Sequence, residues 1–401
     1  MENFEKRFKK LNKEQKKAVN SIEGPVLVVA GPGSGKTEIL SLRAVNILKE
    51  TDVFPRNILC LTFTDSAAVN MRERLKSMIG EDAYKVAVHT FHSFGESIKN
   101  RHPEVFHKGA VFNSIDDLAQ MSLVDEILDG LEYDNPLKVT HSGQGYIFSK
   151  PVIRGIQYLK KAGITPDEFF KILEHNEEVI EELNSLVDDV FSNRVSKKIF
   201  DKVADLLKKI KDLNMRDFPV DHMSSLDKAL ENSLGRALGK SVEEDRTSYL
   251  SEWKKENTYK NKEGKRLLKA EKYLEKMEAL AEVYEEYQDK MYERGYYDFD
   301  DMILDVIQAI ERNDELRYEL QEQFLYIMVD EFQDTNDAQM RLIYLLTGAE
   351  VNEKRPNIMV VGDDDQAIFK FQGAKISNIF RFKDRYRDPE IVTLTKNYRS
   401  H

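Results

Sequence analysis

The 401 residues are enough for two or three domains, and 41% hydrophobic with 33% charged residues is typical of a soluble globular protein. No apolar run is long enough to cross a bilayer, the charged N-terminus is unlike a signal peptide, and the single Cys60 excludes an internal disulfide or a thiolate metal site, which fits a reducing cytosol. The net charge of −11 argues against a surface coated in positive charge, but it is compatible with a local basic groove for nucleic acid.

A short helix is predicted to begin near the N-terminus, in the run Leu11-Asn12-Lys13-Glu14-Gln15. Asn12 suits the N-cap position of this helix. Gln15 offers one donor and one acceptor, which suits the edge of an adenine, but a surface Gln on a capped helix is the simpler interpretation.

A phosphate-binding loop is predicted after the apolar strand at 26–29. The loop reads Ala30-Gly31-Pro32-Gly33-Ser34-Gly35-Lys36-Thr37 and leads into a helix that runs towards Lys49. In this pattern the glycines let backbone N–H groups surround a polyphosphate, Lys36 reaches the β- and γ-phosphates, and the Thr37 hydroxyl binds Mg²⁺. Ala30 departs from the pattern, which has Gly there. The flanking strand and helix argue against a chance glycine turn.

Two further strands are predicted at 58–64 and 86–89, each followed by a helix. Strands that alternate with helices predict a mostly parallel sheet with helices on both faces, and ligands of such sheets sit at the carboxyl ends of the strands. A hydroxyl and an aromatic residue occur together at both strand ends, in Thr62–Thr64 and in Thr90–Ser93. One such aromatic residue would suit a core position, but the repeated pattern favours a nucleic-acid surface.

Charged helical patterns replace the strand signals between about residues 100 and 295, which predicts a large all-α inserted domain. Helices are expected to start at Ser114–Leu118 and at Thr165-Pro166, and Leu274–Met291 is expected to form one long amphipathic helix. The basic and aromatic stretch Trp253–Lys272 has two open interpretations. It could contact a phosphate backbone or stack bases, or it could be a solvated loop and helix start.

Strands return near the C-terminus, at 324–329, 357–361 and 390–394. The first ends in Asp330-Glu331, an acid pair that ATP hydrolysis needs beside a phosphate loop. Asp330 would hold Mg²⁺ through its water shell, and Glu331 would orient and deprotonate the attacking water. Gln366, after the second strand, is placed to sense the γ-phosphate. The third strand leads to Asn397-Tyr398-Arg399.

Taken together and in order, these motifs resemble the first motor domain of a UvrD/Rep-type superfamily 1 DNA helicase. The residues that carry the resemblance are Leu11–Gln15, Ala30–Thr37, Leu61–Thr64, Thr90–Ser93, Tyr297–Asp301, Asp330–Asp334, Val361–Gln366 and Asn397–Ser400. The match covers the chain to about residue 95 and again from about residue 295. It implies a RecA-like P-loop fold in two parts, 1–98 and 296–401, interrupted by a helical accessory insertion at 99–295.

The resemblance also implies roles for particular residues. Gln15 would read adenine, Tyr398 would stack on it, and the whole loop would hold the nucleotide (Ala30, Gly31, Pro32, Gly33, Ser34, Gly35, Lys36 and Thr37). The implied catalytic residues are Lys36, Asp330, Glu331, Gln366 and Arg399, with Thr37 and Asp330 serving the metal. The implied single-strand path is lined by Phe63, Thr64, Thr90, His92, Tyr297, Phe299 and Phe371.

Three residues depart from the family pattern. Phe371 stands where the family usually has Trp, Gln372 replaces a usual Arg, and Glu38 replaces a frequent Arg beside the nucleotide. Because an acid is unfavourable near phosphates, Glu38 is expected to turn outward. The chain ends just after Arg399, so the family's second motor domain is expected to lie outside it.

The sequence therefore predicts an ATP- and Mg²⁺-dependent DNA helicase or translocase of the cytoplasm, and the resemblance implies that it moves 3′ to 5′. Its expected partners are single-stranded DNA, duplex junctions and repair or replication proteins, with no membrane. One alternative is an ATP-driven switch or assembly module that moves no strand. Another is that residues 1–401 alone bind nucleotide and single strands but turn over little ATP.

Overall fold

A computed structural model describes residues 2–106, 112–140, 145–213, 218–220, 223–348, 355–363 and 377–398. The strands are β1 (Val26–Ala30), β2 (Ile58–Thr62), β3 (Ala87–Thr90), β4 (Asn113–Ser114), β5 (Thr258–Lys260), β6 (Arg266–Leu268), β7 (Tyr296–Tyr297), β8 (Tyr326–Val329), β9 (Ile358–Gly362) and β10 (Glu390–Leu394).

The α-helices of the first half are α1 (Glu2–Lys9), α2 (Lys13–Asn20), α3 (Lys36–Glu50), α4 (Asp65–Ile79), α5 (Phe91–Arg101), α6 (Pro103–Phe106), α7 (Asp117–Gly130), α8 (Ser149–Lys161) and α9 (Pro166–Phe191). Those of the second half are α10 (Phe200–Leu213), α11 (Leu226–Glu243), α12 (Ser248–Asn257), α13 (Glu271–Glu293), α14 (Asp301–Arg312), α15 (Asp314–Gln323), α16 (Asp337–Thr347) and α17 (Ser377–Arg385).

Six strands form one parallel sheet in the order β10-β1-β9-β8-β2-β3. Alternate residues of β1 enter two different cores: Val26 and Val28 pack with α3 and α4, while Leu27 packs with α5, α14 and α16. Strands covered on both faces are nearly continuous apolar runs, which is why they could be read from the sequence. The predicted parallel α/β sheet with helices on both faces is confirmed.

The strand limits differ from the predicted ones for local reasons. The strand predicted at 58–64 ends at Thr62, because Thr64 is the N-cap of α4 and its hydroxyl accepts a hydrogen bond from the Ala67 N–H at 3.2 Å. The strand predicted from residue 324 begins at Tyr326, because α15 continues to Gln323.

The chain divides into two compact units. Unit 1 contains Met1–Ser114, Lys160–Gly163 and Tyr297–His401, and unit 2 contains Ile115–Leu159 and Ile164–Tyr296. The boundary expected at 98/99 falls inside α5, where Phe94 and Ile98 are buried in the core of unit 1. The compact unit therefore does not end at the residue where the strand patterns fade from the sequence.

Unit 2 is mainly helical but contains a β-hairpin, which corrects the expectation of an all-α insertion. Its β5 and β6 pair antiparallel with Tyr259 opposite Leu267. Asn261 shapes the turn by accepting hydrogen bonds from the N–H groups of Glu263 (3.0 Å) and Lys265 (2.9 Å), and Gly264 has a positive φ of 85°. A polar, lysine-rich segment hides the alternation that marks a strand.

Trp253, one of the two aromatic residues of the stretch Trp253–Lys272, belongs to the core of unit 2. It is buried beside Phe191, and its indole N–H donates to the Ser233 hydroxyl at 3.0 Å. Base stacking by Trp253 is therefore excluded in this conformation. Within the described ranges, no helix has both the length and the apolar character needed to span a membrane.

Candidate nucleotide and nucleic-acid site

The phosphate loop lies between β1 and α3, as predicted. Gly33 and Gly35 have positive φ angles of 73° and 88°, and Gly35 is the left-handed N-cap of α3, a conformation that costs a side-chain-bearing residue energy. The Ser34 hydroxyl closes the loop by donating to the Gly31 carbonyl at 2.7 Å. Ala30 is the last residue of β1, and its methyl group is buried in the core. Glycine is therefore not needed at position 30.

Lys36 and Thr37 meet acidic groups from two neighbouring strands of unit 1. The Lys36 ammonium lies 3.0 Å from Glu331 Oε2 and 3.7 Å from Asp363 Oδ2, and the Thr37 hydroxyl donates to Asp330 Oδ2 at 3.0 Å. β9 lies between β1 and β8, so the carboxyl ends of all three strands meet here. The structure thus brings together four of the predicted nucleotide and metal residues.

The acid pair combines a buried carboxylate, Asp330, with a partly exposed Glu331 whose backbone is strained. Burial, together with the adjacent Glu331 carboxylate, raises the pKa of Asp330 to about 6, and burial also raises the pKa of Asp334. Glu331 has a positive φ of 48°, which is uncommon for a residue other than glycine. The Asp330 carboxylate and Thr37 hydroxyl are the hard oxygen donors that Mg²⁺ prefers, and the residues fit that ion.

Gln333 joins the acid pair to β9, a connection that sequence reasoning missed. Its side-chain amide donates to Glu331 Oε2 at 2.8 Å and to Asp334 Oδ2 at 3.2 Å. Its carbonyl oxygen accepts the Asp363 N–H at 2.9 Å. Gln333 and Asp363 both belong to motifs quoted in the sequence analysis. Their places in those motifs were the signal that could have indicated this connection.

Gln15 and Tyr398 both reach the phosphate loop. The Gln15 amide donates to the Ser34 carbonyl at 2.9 Å, and its oxygen accepts the Asn12 N–H at 3.0 Å in a capping box. The Tyr398 N–H donates to the Gly33 carbonyl at 2.9 Å, and its hydroxyl accepts from the Asn12 side chain at 3.0 Å. The Tyr398 ring is 58% exposed and available for stacking. Half of the hydrogen-bonding capacity of the Gln15 side chain is already used, and its reading of adenine stays a prediction.

Glu38 lies in the first turn of α3 and is paired with two cations. Its carboxylate accepts hydrogen bonds from Arg7, at 3.2 Å, and from Arg74. The side chain is partly buried between these guanidinium groups rather than exposed to solvent. Its negative charge is thereby neutralised locally, two residues from Lys36.

The predicted single-strand residues fall into two groups. Phe63 is 46% exposed and Phe299 is 62% exposed, and the Phe299 ring stacks on His92 with centroids 3.6 Å apart. Thr64 and Thr90 cap α4 and α5, so their hydroxyls already have a structural role. Tyr297 is half-buried, and the Lys99 ammonium lies 5.5 Å from its ring centroid.

His92 has the properties of an uncharged aromatic ring. Burial, followed by the nearby Lys161 ammonium, lowers the pKa of His92 to about 4. Its Nε2 is buried without a hydrogen-bond partner in the described part of the chain. At neutral pH the ring therefore packs on Phe299 without carrying a charge.

Three predicted site residues lie outside the described residues, namely Gln366, Phe371 and Arg399.

A parallel sheet with a phosphate loop after its first strand, and with an acid pair at the same edge of the sheet, defines a P-loop nucleotide-binding domain. A family model described as the UvrD/REP helicase N-terminal domain matches residues 11–387. The chain belongs to that family.

Curated relatives agree with the family. ATP-dependent DNA helicase PcrA of Leuconostoc citreum is 27% identical over 97% of this chain and 37% of its own length. Proteins of the same name from Staphylococcus epidermidis and Staphylococcus aureus are each 28% identical, over 98% and 97% of this chain and 38% of their own lengths. The chain thus spans well under half the length of these relatives.

Proposed function

We propose that this chain is the ATP-binding motor part of an ATP-dependent DNA helicase or translocase that moves on single-stranded DNA and unwinds duplexes. The observation that carries this proposal is the meeting of Lys36 and Thr37 with Glu331 and Asp330 at one edge of the sheet. Family membership and the names of the relatives support it.

In the proposed reaction, residues of unit 1 bind the triphosphate and direct a water molecule. The loop N–H groups and Lys36 bind the phosphates, and Glu331 accepts the proton of the attacking water. Gln333 keeps the Glu331 carboxylate in place through its 2.8 Å hydrogen bond. Thr37 and Asp330 would hold Mg²⁺, and the bound ion would supply positive charge to the phosphates.

Coupling to DNA is proposed to run through the strand ends of the same sheet. The Asp330 N–H donates to the Leu61 carbonyl at 2.9 Å, two residues before the exposed Phe63. A change at the phosphates that moves Asp330 would thus reach the exposed Phe63, and we place Phe63 and Phe299 on one aromatic surface. We assign the single-strand path to that surface together with His92 and Tyr297.

We further assign unit 1 to the RecA-like domain and unit 2 to the accessory insertion. Gln366 is proposed to sense the γ-phosphate, Arg399 to stabilise transition-state charge, and Phe371 to stack a base. Single-stranded DNA, duplex junctions and repair or replication proteins are the proposed partners, in the cytoplasm, with 3′-to-5′ movement.

The test is the ATPase rate of the full-length protein with and without single-stranded DNA, beside Lys36→Ala. The proposal expects DNA to stimulate wild-type turnover and Lys36→Ala to abolish it. Duplexes with a 3′ or a 5′ single-stranded tail then report direction, and the 3′ tail should be the productive one. Nucleotide-dependent capture of a protein partner, without DNA stimulation, would instead favour an ATP-driven switch.

A further inference from the structure

The turn at 297–301, which carries the exposed Phe299, is built around two buried carboxylates. Asp298 Oδ1 accepts the backbone N–H groups of Asp300 at 3.1 Å and Asp301 at 3.0 Å. Asp301 Oδ2 accepts the Asp298 N–H in return, at 2.8 Å. One oxygen of each carboxylate thus accepts hydrogen bonds from the backbone of the turn.

The other oxygen of each carboxylate binds the same lysine. The fully buried Lys160 ammonium lies 2.6 Å from Asp298 Oδ2 and 2.6 Å from Asp301 Oδ1. Two carboxylates so close together would repel each other without this cation. Removing one partner of such a buried ionic group leaves an uncompensated charge, which is strongly unfavourable.

The lysine itself is held on unit 1 by a second contact. Lys160–Gly163 belongs to unit 1, although the chain on either side belongs to unit 2. The Gly163 carbonyl accepts a hydrogen bond from Arg341 at 2.6 Å, and Glu311 orients Arg341 with two contacts of 2.8 Å. The Gly163 N–H in turn donates to the Lys160 carbonyl at 2.9 Å, so the backbone that follows Lys160 is held as well as its ammonium group.

This arrangement determines how Phe299 is presented. His92 covers one face of the Phe299 ring, and the ring is still 62% exposed. We propose that Lys160 is a positioning residue for single-stranded nucleic acid, because it joins Asp298 and Asp301 and so fixes the turn that offers Phe299 to a base. The inference rests on the proposed DNA-binding function.

A double-mutant cycle on the full-length protein tests this role. Affinity for a fluorescein-labelled dT oligonucleotide is measured by anisotropy for wild type, Lys160→Met, Phe299→Ala and the double variant. Losing one base–aromatic stack weakens binding roughly fivefold or more. We expect each single variant to show such a loss and the double variant to bind no more weakly than Phe299→Ala. In the absence of DNA, ATP turnover by Lys160→Met should have the wild-type KM for ATP.

Two further variants separate positioning from stability. Leu75→Ala removes a buried side chain from α4. It should lower the melting temperature of the protein without weakening its binding to the oligonucleotide. If Lys160→Met does not fold, the variant Lys160→Met/Asp298→Asn/Asp301→Asn removes all three charges together. It should fold and bind the oligonucleotide weakly.

The possible failures can be told apart. Wild-type protein that does not bind the oligonucleotide would overturn the proposed function and this inference with it. Normal wild-type binding with multiplicative losses in the double variant would overturn only the role of Lys160. An unfolded neutral triple variant would overturn it as well, since Lys160 would then serve the fold rather than the turn.

Discussion

At the scale of single residues, the Thr37 hydroxyl joins the phosphate loop to the acid pair through its 3.0 Å contact with Asp330. We expect Thr37→Val to lower ATP turnover and to raise the Mg²⁺ concentration needed, because both the proposed metal ligand and the hydrogen bond that orients Asp330 are lost. Changes of this kind typically cost about 10- to 100-fold. Turnover against Mg²⁺ concentration is the measurement. Thr37→Ser keeps the hydroxyl and should stay near wild type, whereas an unchanged Mg²⁺ dependence in Thr37→Val would contradict the assignment.

Asp330 links the same site to pH. Its pKa is raised to about 6, above its ordinary value of 3.8. Between these two pH values, Asp330 therefore keeps a proton in the folded chain that it has lost in the unfolded chain. The contribution of Asp330 to the free energy of unfolding therefore increases as pH falls through the window from about 6 to about 4. Above that window the buried charge is a cost of about 2 to 3 kcal/mol.

We therefore expect Asp330→Asn to melt at a higher temperature than wild type at pH 8 and to lose much of that advantage at pH 5. Comparison with wild type at each pH cancels the opposite slope from His92, whose pKa is lowered to about 4. Asp52→Asn, at an exposed position, is the control and should change neither melting temperature. An Asp330→Asn advantage of equal size at both pH values would contradict the raised pKa.

At the scale of elements, the capping box of α2 serves the nucleotide site as well as the helix. Asn12→Ala should lower the free energy of unfolding by about 1 kcal/mol, as loss of an N-cap usually does. It should also raise the KM for ATP, because the Asn12 side-chain amide donates to the Tyr398 hydroxyl and alanine removes this contact. Thermal melting and ATPase kinetics measure the two effects.

The matched control is Asn313→Ala, at the N-cap of α15. The Asn313 side chain accepts the Leu316 N–H at 3.1 Å and makes no contact with the phosphate loop. A similar loss of stability with an unchanged KM is expected. Equal KM values for the two variants would show that the α2 cap serves only the helix.

How well an element could be predicted depends on how local its cause is. The strands of the large sheet are buried on both faces, so their apolar runs were visible in the sequence. The phosphate loop was visible as well, because its positive φ angles require glycines. The β5–β6 hairpin was missed because its lysines obscure the alternation, although Asn261 and Gly264 do mark the turn.

The least predictable contacts join residues far apart in the chain. Lys160 stands 138 residues before Asp298. It follows the buried Val152 and Ile156 at four-residue spacing, so the helical pattern places it on the buried face, but nothing local identifies the carboxylates that it binds. Gln15 could be recognised as a useful polar residue, but its contact with Ser34 depends on how α2 packs on the loop. Burial by distant segments, not local propensity, determines both roles.

At the scale of the whole molecule, the net charge of −11 repels a nucleic acid, so binding must depend on a few local cations. The salt dependence of affinity counts these cations, because each neutralised phosphate of a single strand contributes about −0.7 to the slope of log K against log salt. Lys161 is exposed, and its charge acts on both His92 and Asp300 beside the Phe299 turn. This makes Lys161 the best-placed candidate for a phosphate contact.

We expect Lys161→Met to weaken binding of a dT oligonucleotide and to make the salt slope shallower by about 0.7, the contribution of one phosphate. Anisotropy titrations of the full-length protein at several salt concentrations measure both quantities. Lys49→Met is the matched control, since Lys49 lies at the end of α3 and pairs with Glu5 at 3.0 Å. Its slope should equal that of wild type. If Lys161→Met also keeps the wild-type slope, Lys161 contacts no phosphate, and the cations that offset the net charge must lie elsewhere.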